Sequence, residues 1–304
     1  MTNIVLLDGG MGQELLRRSK QKPHPMWSAK VMMDEPEIVE AVHRDFIDAG
    51  ARIITLNNYS ATPERLEREG HSDLFEPLQN KAIEMAKRAR DQSKLGHTNQ
   101  VRIAGCLPPL HASYKPELAP NFEECLELYQ VIANIQAQSV DLLICETMSS
   151  IKEGKAAAIA GTRTGCPTWL SFSLEDNLNA CLRSKEPLID AINEVLDIGV
   201  EAILLNCSLP EAMSAAMDTL NSNFNSVGVY ANGFTSIDAL QPGGTVENLE
   251  ARNDLGPDNY ANFAMNWVKS GAKIVGGCCE VGPEHIAQLE KQLEADGYTP
   301  VSHL

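Results

Sequence analysis

Short, unbroken apolar runs recur along the chain, each followed by a stretch whose apolar residues fall at helical spacing. "NIVLLDGG" (3–10), "ARIITLNN" (51–58), "VRIAGC" (101–106) and "DLLICET" (141–147) read as strands. So do "PTWLSFS" (167–173), "EAILLNC" (201–207), "SVGVYAN" (226–232) and "AKIVGGC" (272–278). They show little polar alternation, which suits parallel strands covered on both faces. Between them, "EPEIVEAVHRDFIDAG" carries Pro36 near its first turn, Ile38, Val42 and Phe46 at i, i+4 spacing, and Gly50 as a stop. "FEECLELYQVIANIQAQ" places Cys125, Leu128, Ile132 and Ile135 on one stripe. Helices are also predicted over 75–94, 151–162, 187–198, 210–220, 257–270 and 283–295.

Strand then helix, repeated along 304 residues with no linker or low-complexity tract, predicts an α/β fold. The specific expectation is a (β/α)8 TIM barrel forming a single domain over 1–304, with a doubly wound open sheet as the alternative. The long segments 11–33, 107–120 and 233–256 follow the first, third and seventh strands. They fall on the C-terminal face, where barrel enzymes build their sites. Asp8, Asn57, Cys106, Glu146, Ser173, Cys207, Asn232 and Cys278 end or follow apolar strands, so together they outline one rim.

Composition narrows the function. Lys plus Arg less Asp plus Glu is 25 − 41 = −16, which argues against nucleic acid or an anionic membrane as partner. No apolar run is long enough to span a bilayer, and the N-terminus enters a strand at once, so a cytoplasmic protein is expected. The eight cysteines are scattered, which suits reduced thiols better than a disulfide framework.

Three of those thiols form a pattern. Cys207 closes the sixth strand, and Cys278 and Cys279 close the eighth. Strands lie about 4.8 Å apart, so these two strand ends are roughly 10 Å apart on the rim. Inward side chains from both can converge on one ion. In a regular strand Cys278 and Cys279 would point to opposite faces, so both can bind one metal only if the chain leaves the extended form. Gly276 and Gly277 permit that. Three thiolates with an open position would describe a catalytic zinc; buried, inert cysteines are the alternative. His43 is placed on a solvated helix face, Cys106 and Cys145 in the core, and His285 in local packing.

"DGGMGQELLRR", "MWSAKVMMDEPEIVEAVHRDFIDAGARIITLNNYSAT", "ICET", "LLNCS" and "GGCCEVGPEHI" resemble, in order, the homocysteine S-methyltransferases. The resemblance implies methyl transfer to the thiol of L-homocysteine, giving methionine. It implies zinc (Zn2+) held by Cys207, Cys278 and Cys279. Asp8, Gly9 and Gly10 would lie beside homocysteine and Glu146 on its amino group. Asn57 and Asn232 belong to the same rim, and Trp27 and Tyr59 are placed against a cationic donor, since aromatic faces attract sulfonium and ammonium groups. The resemblance departs from the family at Glu280, Val281 and Gly282, at "LNNY" with Leu56 and Asn58, and at "YANGF". A small sulfonium donor, S-methylmethionine or S-adenosylmethionine, is expected. The alternatives are betaine or another onium donor, another thiol or selenol acceptor, and a non-catalytic zinc-binding regulatory protein. Only 304 − 279 = 25 residues follow Cys279, so the arm of the betaine enzyme is missing and a monomer or weak dimer is expected.

Overall fold

A computed structural model describes residues 2–95, 98, 100–237, 240, 242 and 249–303. Part of the segment 233–256, expected on the site face, therefore lies outside the described residues. The strands are β1 (Thr2–Leu6), β2 (Ile53–Thr55), β3 (Arg102–Leu107), β4 (Leu142–Met148) and β5 (Thr168–Phe172). They continue with β6 (Ala202–Asn206), β7 (Val227–Tyr230), β8 (Ile274–Val275) and β9 (Tyr298–Val301). The helices are α1 (Met11–Arg18), α2 (Trp27–Asp34), α3 (Pro36–Asp48), α4 (Pro63–Arg68), α5 (Phe75–Gln92) and α6 (Phe122–Ala137). They are followed by α7 (Ile151–Arg163), α8 (Leu188–Asn193), α9 (Pro210–Asn223), α10 (Pro257–Lys269) and α11 (Pro283–Ala295). Among the described residues no helix is long and apolar enough to cross a membrane.

All strand pairs are parallel, in the order β2-β3-β4-β5-β6-β7-β8-β1-β9. The ring closes where a parallel Leu7–Ile53 bridge joins the end of β1 to β2, with the Arg52 N–H donating to Leu6 O at 2.8 Å and the Asp8 N–H to Ile53 O at 3.0 Å. The fold is thus the expected TIM-type barrel, with one strand more than expected. β2 is short and meets β1 only at its upper end. The lower edge, Thr2–Val5, pairs instead with β9. A bare strand edge is a liability, and β9 covers it. Its Pro300 is tolerated because β9 lies at the edge of the sheet. That proline, in a short run, is why the sequence pattern did not show the strand.

Strand alternation sorts the core into two shells. Val5, Leu7, Ile53, Ile144, Trp169 and Leu204 fill the barrel interior, while Ile4, Leu6, Ile54, Leu143, Leu170 and Leu205 face the helices. On α3 the buried positions are Val39, Val42, His43, Phe46 and Ile47. His43 is therefore not on the solvated face where the sequence placed it. The apolar stripe is wide enough to include its i, i+4 position, and both ring nitrogens are buried without a partner. Burial pushes its pKa down to about 3.

His43 gives a test of the packing. Its pKa is lower in the folded than in the unfolded chain, so its neutral form contributes fully above about pH 6.5. That contribution is lost as pH falls toward 3. His43→Leu removes two unsatisfied nitrogens and should stabilise the chain at pH 7 by about 1–3 kcal/mol in chemical denaturation. The variant's advantage should widen below pH 6.5 by up to about 1.4 kcal/mol per pH unit. A difference independent of pH would place His43 in solvent after all.

Candidate metal centre and substrate pocket

β6 ends at Asn206, and strand alternation would turn the next residue toward the helices with Ile203 and Leu205. Cys207 instead adopts a left-handed backbone, φ 54°, while its N–H still donates to Tyr230 O at 3.2 Å. That single reversal swings the thiol into the barrel mouth. The vicinal pair is handled differently. β8 stops at Val275, and the chain runs against the end of β1: the Gly277 N–H donates to Asp8 O at 2.9 Å and the Cys278 N–H to Ala231 O at 2.9 Å. A Cβ at Gly276 would come within 2.5 Å of Leu7 Cβ, so glycine is required there by close approach. The reversal itself occurs at Glu280, φ 65°, in a turn closed by Val281 N–H donating to Cys278 O at 3.1 Å. Glu280 turns back to pair with Arg17 on α1.

As a result the Sγ atoms of Cys207, Cys278 and Cys279 lie within 4.8 Å of one another, with Cys207 and Cys279 3.7 Å apart. Two sulfurs on a tetrahedral ion with bonds of about 2.3 Å would sit about 3.8 Å apart, so the donor set fits a zinc-type ion. Hydrogen bonds from the Cys278 and Cys279 thiols hold Cys207 well below the usual thiol range, against the cost of its burial. Donating those bonds pushes Cys278 and Cys279 up.

The sulfurs share one cavity with Asp8, Gly9, Gly10, Gln13, Trp27, Asn57, Tyr59, Tyr114, Glu146 and Tyr230. Asp8 accepts from Thr55 N at 2.8 Å and Thr55 Oγ1 at 3.3 Å. Glu146 accepts from the Cys106 thiol at 3.2 Å and from Tyr230 Oη at 3.1 Å. Burial pushes Asp8 up to about 8; the Thr55 bonds oppose this and the Glu146 charge adds to it. Burial likewise pushes Glu146 up to about 7, opposed by the bonds from Cys106 and Tyr230. One buried and one half-buried carboxylate with no cationic side chain among the residues lining the cavity are an arrangement suited to an incoming cation.

The remaining expected residues divide. Asn57 lines the cavity and donates to Ser28 O at 3.2 Å. One face of Tyr59 lies 5.3 Å from the Arg65 guanidinium, and its hydroxyl meets Ser113 Oγ at 2.8 Å. Trp27 reaches the cavity with its indole N–H buried and unpartnered. Asn232 is not among the residues lining the cavity; its Oδ1 accepts from Phe234 N at 3.1 Å. Gly10 lines the cavity, but its N–H is engaged by Val281 O at 2.8 Å. The first-turn amides of Met11, Gly12 and Gln13 in α1 are left without an intrahelical partner, and no side chain caps them. Cys106, expected as core filler, is buried but bonded into the site through Glu146.

Sequence reasoning missed Gln13, Tyr114 and Tyr230. Tyr230 had a signal, because strand alternation puts it on the inner face with Gly228. Gln13 follows the glycines directly, and both its carboxamide atoms are buried without partners. Tyr114 lies in an irregular loop and had none.

A family model described as homocysteine S-methyltransferase matches residues 5–293. The chain belongs to that family. It is accordingly a methyltransferase. Among its relatives are the homocysteine S-methyltransferase of Escherichia coli K12, 28% identical over 95% of this chain and 94% of that one. A selenocysteine methyltransferase of Astragalus bisulcatus is 28% identical over 97% and 94%. The metallated crystal form of the E. coli homocysteine methyltransferase MmuM superposes with a TM-score of 0.80 at 27% identity, covering 96% of each chain. The apo form of the same protein gives 0.72, at 26% identity and 96% of each chain. The oxidized form also gives 0.80, at 27% identity, so this homocysteine S-methyltransferase family member is nearer in shape to the metallated and oxidized forms than to the apo form.

The buried carboxylates carry a stability cost that can be measured. The Asp8 pKa is higher in the folded chain than the ordinary 3.8, so its contribution is fully present below that value and is lost as pH rises toward 8. In metal-free protein, Asp8→Asn should therefore melt above wild type by a margin that grows from pH 4 to pH 8 and then levels. A margin that shrinks over this range would show that Asp8 is stabilised in its charged form.

Proposed function

We propose that this protein transfers a methyl group from a small sulfonium donor to the thiol of homocysteine, giving methionine, with zinc held by Cys207, Cys278 and Cys279. The observation that supports this reading most directly is that three sulfurs at metal-ligand spacing share one cavity with the carboxylates of Asp8 and Glu146. Zinc, when bound, keeps a substrate thiol as thiolate at neutral pH, where a free thiol of pKa near 8.5 is mostly protonated.

The chain's own groups account for the rest. Asp8 and Glu146 bind the substrate ammonium. Each carboxylate already accepts neutral donors, but a carboxylate has about four acceptor sites, so a further N–H is accommodated. Binding the ammonium favours their ionised forms and offsets the cost of burial. The amides of Met11 and Gly12, at the positive end of α1, suit the substrate carboxylate. Trp27, Tyr59 and Tyr114 form aromatic walls for a cationic donor. The unpartnered Trp27 N–H and Gln13 carboxamide offer two donors and an acceptor to a polar, amino-acid-like ligand. That favours S-methylmethionine over a donor with an apolar cation and no N–H groups.

The reading is tested by incubating zinc-loaded protein with homocysteine and S-methylmethionine, S-adenosylmethionine or betaine, and measuring methionine by mass spectrometry. S-methylmethionine should give the highest rate; no methionine from any donor would overturn the proposal. Selenocysteine in place of homocysteine tests the acceptor. Serine at Cys207, Cys278 or Cys279 should lower the zinc-to-protein ratio and nearly abolish turnover while circular dichroism stays that of the barrel. Full metal content in Cys279→Ser would remove it from the ligand set. Glu146→Gln keeps shape and loses charge, so kcat/KM for homocysteine should fall by about 10- to 150-fold, the worth of a charge-assisted hydrogen bond. An unchanged value would exclude Glu146 from ammonium binding.

A further inference from the structure

A donor reactive enough to methylate a substrate thiolate also meets the protein's own sulfurs, because Cys207, Cys278 and Cys279 line the same cavity. Methylation of any of them would be a dead end, since a thioether is a poor ligand for zinc and is not readily cleaved.

Cys207 has a dedicated partner. Tyr114 Oη donates to its Sγ at 3.0 Å, and the tyrosine is itself part of the cavity wall. Tyr114 is also held from behind. The Arg183 guanidinium lies 4.8 Å from the centre of its ring. The same guanidinium donates to Cys207 O at 3.3 Å and to Ser173 Oγ at 2.9 Å, and it pairs with Asp176 at 3.1 Å. One cation thus fixes both the donor and the acceptor of the Tyr114–Cys207 bond. The Tyr114 backbone is left-handed, φ 62°, a state a tyrosine keeps only where its surroundings impose it. Simple packing would not require a strained residue to aim its hydroxyl at a sulfur.

Resting on the methyl-transfer reading above, we propose that Tyr114 protects Cys207 from methylation. Its hydroxyl engages a sulfur lone pair, so that the substrate thiolate is the better nucleophile. The reaction it suppresses is a simple displacement. The Cys207 sulfur would bond to the methyl carbon, and the carbon–sulfur bond of the sulfonium would break. Its electron pair would stay on the donor as a neutral thioether, leaving S-methylcysteine at 207. No oxidant or reductant enters, and the thiol proton has already left when the thiolate binds metal. Tyr114 is here a positioning and shielding residue.

The test uses zinc-loaded wild type, Tyr114→Phe and Tyr114→Ala, without acceptor. One arm supplies S-methylmethionine. The other supplies methyl iodide, which needs no binding site. Peptide mass spectrometry locates S-methylcysteine, and zinc content is followed in parallel. Tyr114→Phe keeps the ring and loses the hydrogen bond; methylation at Cys207 should rise by roughly 10-fold or more. In the methyl iodide arm, where no donor site is needed, methylation in Tyr114→Ala should rise at least as much, with zinc lost in step. Equal Cys207 methylation in wild type and Tyr114→Phe, with zinc retained in both, would overturn the proposal. Failure of wild type to make methionine from homocysteine would count against the methyl-transfer reading alone, because the methyl iodide arm still decides the role of Tyr114.

Discussion

Everything at the mouth of this barrel depends on two chain reversals pressed against each other. The turn Cys278–Val281 lies directly on the passage from β1 into α1, joined by Gly10 N–H to Val281 O and by Gly277 N–H to Asp8 O. A Cβ at Gly10 would come within 2.5 Å of Cys278 O, so the approach leaves no room for a side chain. The same contact sets the sulfur pair and the Asp8 carboxylate at one place. It also ties the last βα unit to the first, where the ring must close. Ring closure and site assembly are therefore one constraint, and a change that loosens one loosens the other.

Around that contact the chain holds energetically unfavourable groups. Of the seven non-glycine residues with positive φ among the described residues, Trp27, Tyr114, Thr147 and Cys207 line the cavity, and Glu280 follows the vicinal pair. Such conformations cost of order 1–3 kcal/mol each and persist where the fold over-determines them. Asp8, buried, and Glu146, half-buried, have no cationic partners in the cavity wall. Strained backbone, clustered thiols and unpaired carboxylates each destabilise the ligand-free chain. In the function proposed above, each would be relieved or used as a cation, a thiolate and an ammonium bind. The extensive double-shelled core of the barrel supplies the stability that makes this arrangement possible.

The side chains around the sulfur cluster have partners of their own. Glu280, beside the vicinal pair, turns to Arg17 on α1. Tyr59 carries Arg65 against one face, so only part of its π surface is open to a donor. Asn232 is turned to its own loop. These placements leave Gln13, Trp27 and Tyr114 as further polar and aromatic groups lining the same cavity.

The barrel was legible from apolar runs alone, because parallel strands covered on both faces need continuous hydrophobic sequence. The rim was legible too, since Cys207, Glu146 and Asp8 stand where strands end. What the runs could not convey was any property that depends on two distant segments meeting. Pro300 hid β9, whose reason for existing is the short reach of β2. His43 read as solvated because the width of the α3 stripe is set by the helices packed on it, not by α3 itself. Sequence local to β6 would have sent Cys207 toward the helices; only the left-handed turn at its end, held by β7 and Arg183, brings it to the other thiols. Tyr114 carried no periodic signal, since its place is decided by a loop folding over a sulfur some 90 residues away. Local pattern decides which face of an element is buried; where side chains from different elements converge is decided by tertiary closure.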